Sequence, residues 1–274
     1  RGRSRQGHRG GGCVRAPERN DFLTAESATE TPRSLGRTIA LAVAFLLLLI
    51  VAEVAVAVVA GKLVGATRPG TESAMLLQVS LQLVAAVLAT AIMLRSVDVR
   101  PWGDVGMDRN AVRPRLLLEG WLMGGLAIGV ACAALLAAGW LRIVPGPEGS
   151  SLSAALSLTV FLIVAALGEE LISRGYLLTA LRDGLGGGAA VGVTSLLFGA
   201  AHLRNAGVTV QSFCIVTLAG VFLGAIRLTF RSVYASSAAH VAWNWMLAVA
   251  FHASVSGMRF EAPDYRTVEQ GPDW

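Results

Sequence analysis

The sequence predicts an all-α membrane protein, a polytopic bundle of about seven transmembrane helices. Hydrophobic residues make up 54% of the 274 residues and charged residues only 15%, against roughly 25% charged residues in a soluble domain. Residues 38–61 carry one charge, Glu53, and residues 75–94 carry none. Runs of about 20 apolar residues can cross a hydrocarbon core of roughly 30 Å. Helices satisfy their own backbone groups there, and no barrel-like alternation is visible.

The apolar runs divide the chain into its elements. The first run is too long and begins too late for a cleavable signal peptide, so it is expected to be a retained span. A Pro-Gly-Pro sequence at 145–147 predicts a turn at the end of the third span. The predicted spans are 38–61, 75–94, 116–141, 157–181, 189–204, 208–226 and 233–253.

Four regions follow from these spans. Residues 1–37 are basic, lack the means to build a core and are expected to form a disordered cytoplasmic tail. Residues 38–156 hold the N-terminal transmembrane helices, and residues 157–253 hold a second bundle with unusual polar side chains. Residues 254–274 form a polar C-terminal tail.

The basic residues orient the bundle. If the N-terminus is cytoplasmic, the inner segments hold 16 basic residues and the outer segments hold 6, the asymmetry of the positive-inside rule. An odd number of spans then places the C-terminus outside. The net charge of +5 follows from this topology, so no nucleic-acid partner is expected. An Ala-, Gly- and Arg-rich composition favours a bacterial plasma membrane protein.

The fourth span contains three charges in six residues, Glu169, Glu170 and Arg174. Each charge inside a membrane costs at least ~2.5–3.5 kcal/mol, so such residues indicate function. Glu170 and Arg174 are four residues apart, share a helix face and can pair. Glu169 is rotated away from Arg174, and a spare carboxylate suits a group that accepts and returns a proton.

Two further spans carry polar pairs at a spacing of one helical turn. Phe198 precedes His202 by four residues in the fifth span, and His240 precedes Asn244 by four in the seventh. Each pair therefore lies on one helix face. From the rise of a helix, Glu169 and His202 are expected roughly 18–20 Å from the cytoplasmic end, and His240 roughly 10 Å. A tilted helix would unite them in one buried cluster open toward the cytoplasm.

Three motifs in this order resemble the CPBP intramembrane proteases. This family comprises CAAX prenyl endopeptidases and bacteriocin-processing or self-immunity proteins, also called the Abi family. The resemblance covers residues 157–253, which are therefore expected to form the catalytic helix bundle. Ser173 stands where many members have an aromatic residue. The motifs read Glu169-Glu170-x-x-x-Arg174, Phe198-x-x-x-His202 and His240-x-x-x-Asn244.

The resemblance implies an intramembrane endopeptidase acting on a peptide or a membrane-associated protein. It implies that Glu169 and His202 activate a water, and that His240 and Asn244 stabilise the oxyanion. Peptide hydrolysis needs a base and donors of these kinds. Three further residues are expected to hold the catalytic side chains in position without reacting themselves: Glu170, Arg174 and Phe198.

Members of the family are often called metalloproteases, which raises the question of zinc. Glu169, His202 and His240 could bind zinc and leave a fourth position to water. No His-x-x-x-His pair lies on one helix, as the zinc metalloprotease signature requires. A glutamate-dependent mechanism without a cofactor is therefore preferred, and the zinc alternative remains open.

Two other functions fit the same residues. Buried Glu and His chains also occur in proton-coupled transporters, although no inverted repeat is visible here. A non-catalytic immunity or scaffold protein would keep the same fold. The lipid bilayer is an expected partner in every case, and the oligomeric state is left open.

Overall fold

The computed structural model describes residues 33–64, 71–146, 151–205, 207–258 and 265–271. Most of the expected disordered tail, residues 1–32, lies outside the described residues. The helices are α1 (Leu35–Val64), α2 (Glu72–Ile92), α3 (Pro114–Ala137), α4 (Ser151–Glu170), α5 (Leu177–Leu185), α6 (Gly187–Ala201), α7 (Val210–Phe230) and α8 (Val233–Trp245). The strands are β1 (Leu141–Pro145) and β2 (Tyr265–Glu269).

Short turns of other helix types extend these helices. A π-helical turn, Met93–Val97, continues α2, and another, Met246–Ala250, continues α8. A third, Leu171–Tyr176, joins α4 to α5, so that both helices lie within one long apolar segment. A 3₁₀ turn, His202–Arg204, follows α6.

The helical prediction is confirmed, and most of the predicted spans meet a length and apolarity criterion. Five segments of the described chain are long and apolar enough to cross a membrane. The helices at the other two predicted spans are shorter, because α6 has 15 residues and α8 has 13 before its π-helical turn. The total of seven spans therefore stays a prediction. The five segments are Leu35–Leu63, Glu72–Val97, Pro114–Ala137, Ala154–Leu185 and Val210–Phe230.

The structure corrects the all-α prediction at one place. Strand β1 pairs antiparallel with β2, with Leu141 opposite Glu269. The third span was predicted to end at 141, but its helix ends at Ala137. Gly139 then turns the chain into β1 with a φ of 73°. Residues 254–274 are likewise more than a tail. Short runs of β-branched residues, 143–144 and 267–268, account for the strands.

A polar network closes the end of the bundle at which α1 begins, which we call the first end. Asp98 is 4% exposed and accepts hydrogen bonds from Arg33 Nη1 and Tyr176 Oη, each at 3.0 Å. Arg100 lies 3.0 Å from Asp98 and 2.9 Å from Asp183 at the end of α5. Burial alone would lower the pKa of Arg33, but the hydrogen bond and charge of Asp98 raise it above its usual value. These contacts join the residues just before α1 to the segment that follows α2 and to the end of α5.

Helix α8 lies at the centre of the site-bearing half. It contacts α3, α4 and α7. Its closest neighbour is α3, where a Cβ added at Gly120 or Gly124 would overlap the carbonyl oxygen of Ala235 or Ala239. Small residues permit this approach of two backbones, as in other helix pairs of membrane proteins.

Candidate active site

The helix that carries the glutamates is broken just after them. Glu169 and Glu170 end α4, and Gly175 in the following π-helical turn has a non-helical φ of −79° and ψ of −113°. The two carbonyls at this break accept bonds from side chains. Arg227 Nε donates to the carbonyl of Arg174 at 3.0 Å, and Thr179 Oγ1 donates to that of Gly175 at 2.9 Å. The glycine and the π-helical turn thus explain the kink.

The expected Glu170–Arg174 ion pair is present and fully buried. Arg174 Nη1 lies 3.0 Å from Glu170 Oε1, and neither side chain is exposed. Arg174 Nη2 also donates to the carbonyl of Gly220 on α7 at 3.0 Å. The guanidinium carbon lies 4.3 Å from the centre of the Phe198 ring, a cation–π contact. Arg174 therefore fastens α4, α6 and α7 together behind the glutamates.

His202 follows the last residue of α6, and its ring orientation is fixed by the helix itself. Its Nδ1 lies 2.7 Å from the carbonyl oxygen of Phe198. A carbonyl only accepts, so Nδ1 carries the hydrogen and the neutral ring has its lone pair on Nε2. That Nε2 lies 3.9 Å from Glu169 Oε2. The free lone pair of His202 thus faces the spare carboxylate.

His240 lies between the two adjacent glutamates. Its Nδ1 is 3.2 Å from Glu170 Oε1, and its Nε2 is 3.8 Å from Glu169 Oε2. The ring of Phe198 packs edge-on against it, with centroids 5.8 Å apart. In its doubly protonated form the imidazole can donate on both sides. His240 therefore connects the buried ion pair to the more accessible Glu169.

Asn244 lies one turn beyond His240, and both residues line a cavity of about 800 Å³. Helices α3, α7 and α8 form its walls, and β1, β2 and the loop after α8 form its rim. Glu169 and His202 do not line it, so they approach His240 from α4 and α6. Representative wall residues are Ile128, Leu135 and Trp243, and rim residues are Gln211, Ser254 and Ser256.

The cavity lies toward the end of the bundle that carries the β-strands, which we call the sheet end. Arg33 lies at the first end, and α3 runs from the first end to β1. The opening of the cluster toward the side of the N-terminus stays a prediction, and the cavity that His240 and Asn244 line lies at the other end. The counted difference in depth does not separate the three side chains, because Glu169 lies within 3.9 Å of both His202 and His240. A position counted from a predicted helix end does not include the relative shift of packed helices.

The three possible zinc ligands form a suitable donor set but not a metal-binding geometry. Zinc ligands at 2.0–2.1 Å in a tetrahedron lie about 3.3 Å apart. Here Glu169 Oε2 is 3.9 Å from His202 Nε2 and 3.8 Å from His240 Nε2. Across the described ranges, no group of three or more His, Cys, Asp or Glu side chains is arranged to hold a metal ion. The residues as positioned do not fit zinc.

Sequence reasoning missed two features of this site. Arg227 was counted with the loop after α7, although its side chain is 1% exposed and contacts the carbonyl of Arg174. Its position three residues inside an apolar helix was the available signal. The kink at Gly175 was also missed, because a single glycine in an apolar helix does not by itself indicate a break in that helix.

The chain matches a known family over the part that contains the site. The family model is described as Rce1-like, Type II CAAX prenyl endopeptidase Rce1-like, and it matches residues 151–246. The five apolar helices and this match to a membrane protease family together indicate a multi-pass membrane protein. Residues 151–246 are thus similar to the CAAX endopeptidase family, in agreement with the resemblance of the three motifs, which all lie in this range. No curated protein and no solved structure matches the chain.

Proposed function

We propose that the protein is an intramembrane endopeptidase that hydrolyses a peptide bond with a water activated by Glu169 and His202. The observation that supports this most directly is the position of the Glu169 carboxylate, 3.9 Å from His202 Nε2 and 3.8 Å from His240 Nε2. Glu169 is also the accessible member of the glutamate pair, at 28% exposed. A water can therefore reach it.

The water occupies the space between Glu169 and His202. Two acceptors 3.9 Å apart can both bond one water at about 2.8 Å if it lies beside the line that joins them. His202 Nε2 presents a lone pair, so it shares with Glu169 the proton that leaves the water. The hydroxide oxygen attacks the scissile carbonyl, and the proton is then returned to the leaving amine nitrogen. The base is regenerated in that step.

The scissile carbonyl enters from the cavity, because His240 and Asn244 line it. As the carbonyl oxygen becomes negative, His240 Nε2–H and the Asn244 amide donate to it. Donors fixed before the reaction stabilise a developing charge without reorganising. Glu170 Oε1 lies 3.2 Å from His240 Nδ1 and pairs with the ring in its protonated form, and Arg174 fixes Glu170. This mechanism uses no cofactor.

The substrate is a peptide or a membrane-associated protein that supplies an extended segment to the cavity. The proposed location is a bacterial plasma membrane with the N-terminus in the cytoplasm, and the charge bias of the loops supports this orientation. On that orientation the sheet end faces outward, so the cavity would receive its substrate from the outer half of the bilayer.

The test compares membrane-protein fragments in cells that express the wild type, Glu169→Gln or His202→Gln, by N-terminal peptide profiling. Fragments lost in both variants at equal expression support the proposal. Glu53→Gln is the matched control, because it removes a carboxylate from α1, far along the chain from the cluster. Fragments that persist in both site variants would contradict proteolysis and favour a non-catalytic scaffold.

Two further arms separate the alternatives. Washing the purified protein with a zinc chelator should leave cleavage unchanged, whereas loss of cleavage and its recovery with zinc would establish the metal. A proton flux that disappears in Glu169→Gln, without any change in fragments, would establish a proton-coupled transporter.

A further inference from the structure

Arg227 is a buried cation outside the predicted catalytic set. It lies on α7 three residues before the helix end at Phe230, and it is 1% exposed. Nε donates to the carbonyl of Arg174 at 3.0 Å, and Nη2 donates to the carbonyl of Asp104 at 3.2 Å. In the described part of the chain it forms no ion pair with a carboxylate. A buried charge held by carbonyls alone requires an explanation.

The carbonyl that Arg227 holds lies at the break in the glutamate-bearing helix. Gly175 leaves the helical region at ψ −113°, so the peptide units beside it depart from regular helix bonding. Buried carbonyls need a donor, and a charged donor makes a stronger bond than a neutral one. The guanidinium therefore stabilises the kinked form of this turn.

The protein leaves room for this guanidinium. Gly106 has a φ of 75°, and a Cβ built there would lie 2.7 Å from the Arg227 guanidinium carbon. The carbonyl of Gly106 also accepts a bond from Val233 N at 3.0 Å. The loop between α2 and α3 is thus packed against Arg227 and attached to the first residue of α8.

An arginine near a helix end often extends into the interface, and Arg231 illustrates that arrangement in the same region. Arg231 is exposed, whereas Arg227 points inward to Arg174. From there the contacts continue without a gap. Arg174 Nη1 lies 3.0 Å from Glu170 Oε1, and Glu170 Oε1 lies 3.2 Å from His240 Nδ1.

We propose that Arg227 is a positioning residue for His240. It fixes the kinked turn through the carbonyl of Arg174, so that the Arg174–Glu170 pair holds the His240 ring. Its contribution to peptide hydrolysis rests on the proposed function above, whereas its effect on His240 does not.

The first test needs no substrate. The probe is diethyl pyrocarbonate, and mass spectrometry measures the labelling rates of His240 and His202 in the purified protein in detergent. In Arg227→Met we expect His240 to be labelled about tenfold faster, the effect of losing a charge-assisted hydrogen bond in its support. In Arg227→Lys we expect an intermediate rate, because an ammonium lacks the planar fork that bonds both carbonyls. Arg231→Met, the matched control, should label like the wild type.

A double-mutant cycle separates positioning from a general loss of stability. If Arg227 acts through Glu170, adding Arg227→Met to Glu170→Gln should produce little further labelling of His240. Fully additive rates would overturn the proposal, as would a wild-type rate in Arg227→Met. If Arg227→Met does not fold, a wild-type rate in Arg227→Lys overturns it instead.

The activity arm distinguishes this inference from the proposed function. On a peptide identified by fragment profiling, Arg227→Met should lower kcat about tenfold and leave KM unchanged. If His240 is labelled faster in Arg227→Met than in the wild type, and the wild type cleaves nothing, the positioning role stands and the protease is rejected. Unaltered labelling beside normal cleavage would reject the positioning role alone.

Discussion

Glu169 and Glu170 are adjacent in the sequence and have opposite surroundings. Glu169 is 28% exposed and faces two imidazoles, whereas Glu170 is fully buried against Arg174. Neighbouring carboxylates in different environments can take different roles. On the proposed function, Glu170 therefore holds the structure of the site and Glu169 takes part in the reaction.

Replacing each glutamate by glutamine should separate these roles. Glu170→Gln leaves the buried Arg174 charge without its partner, which typically costs about 3–5 kcal/mol, so thermal unfolding in detergent should begin at a clearly lower temperature. Glu169→Gln should change the free energy of unfolding by less than about 0.5 kcal/mol. Equal melting temperatures for the two variants would contradict the assignment.

Asn244 should matter for the chemical step more than for substrate binding. Removing one oxyanion donor typically lowers kcat about 10²–10³-fold, so Asn244→Ala should lose kcat and keep KM on a defined peptide. Gln211→Ala removes an amide from the rim of the same cavity and is the control. A change in KM alone for Asn244→Ala would show that Asn244 binds the ground state instead.

Among the elements, the α3–α8 pair depends most on residue size. Gly124 lies against the backbone of Ala239, whereas its neighbour Gly125 meets only the side chains of Ala242 and Met246, at 3.7 and 3.9 Å. Backbone atoms of a packed helix cannot move aside as the end of a flexible side chain can. Gly124 and Gly125 therefore differ greatly in their tolerance of a larger residue.

Gly124→Ala should push α8 from α3 and displace His240, the residue that follows Ala239. We expect destabilisation by about 1–3 kcal/mol, the usual cost of overpacking, together with loss of cleavage. Gly125→Ala should be close to the wild type in melting temperature and in activity. Equal behaviour of the two variants would contradict the close packing of these helices.

The sequence predicted the elements that have a local pattern of their own, such as an apolar run or a four-residue spacing. It missed the elements that depend on contacts with residues distant in the sequence. Long apolar runs identified the helices, and four-residue spacing identified the Glu170–Arg174 pair. The β1–β2 pair joins residues 141–145 to 265–269, more than 100 positions away, so neither strand could be recognised alone. The contact of Arg227 with the carbonyl of Arg174 likewise needs the kink at Gly175, which no spacing reveals.

For the whole molecule, the two ends carry different structures. The first end is closed by the ionic network around Asp98, and the sheet end is bordered by β1, β2 and the cavity. The stabilising charge on Arg33 persists at any ordinary pH, because the hydrogen bond and charge of Asp98 outweigh burial and raise the pKa of this arginine above its already high usual value. His240 and Asn244 line the cavity toward the sheet end, away from this ionic network.

The opposite location of the two ends can be tested by cysteine labelling. Ser34→Cys marks the first end and Glu269→Cys marks the sheet end, each in a background without Cys13, Cys132 and Cys214. In intact cells an impermeant maleimide should label position 269 and should label position 34 only after the cells are opened. The reverse pattern would invert the predicted orientation, and labelling of both would contradict the odd number of crossings.

The position of α8 has a consequence for how the protein is made. Its residues are synthesised after those of α3, α4 and α7, yet they pack among all three. A chain still emerging from the ribosome contains Glu169 and His202 long before it contains His240 and Asn244. Contacts between distant parts of a sequence form late. On the proposed function, an interrupted or truncated chain would be harmless to the cell, and proteolysis would begin only when the last helix has inserted.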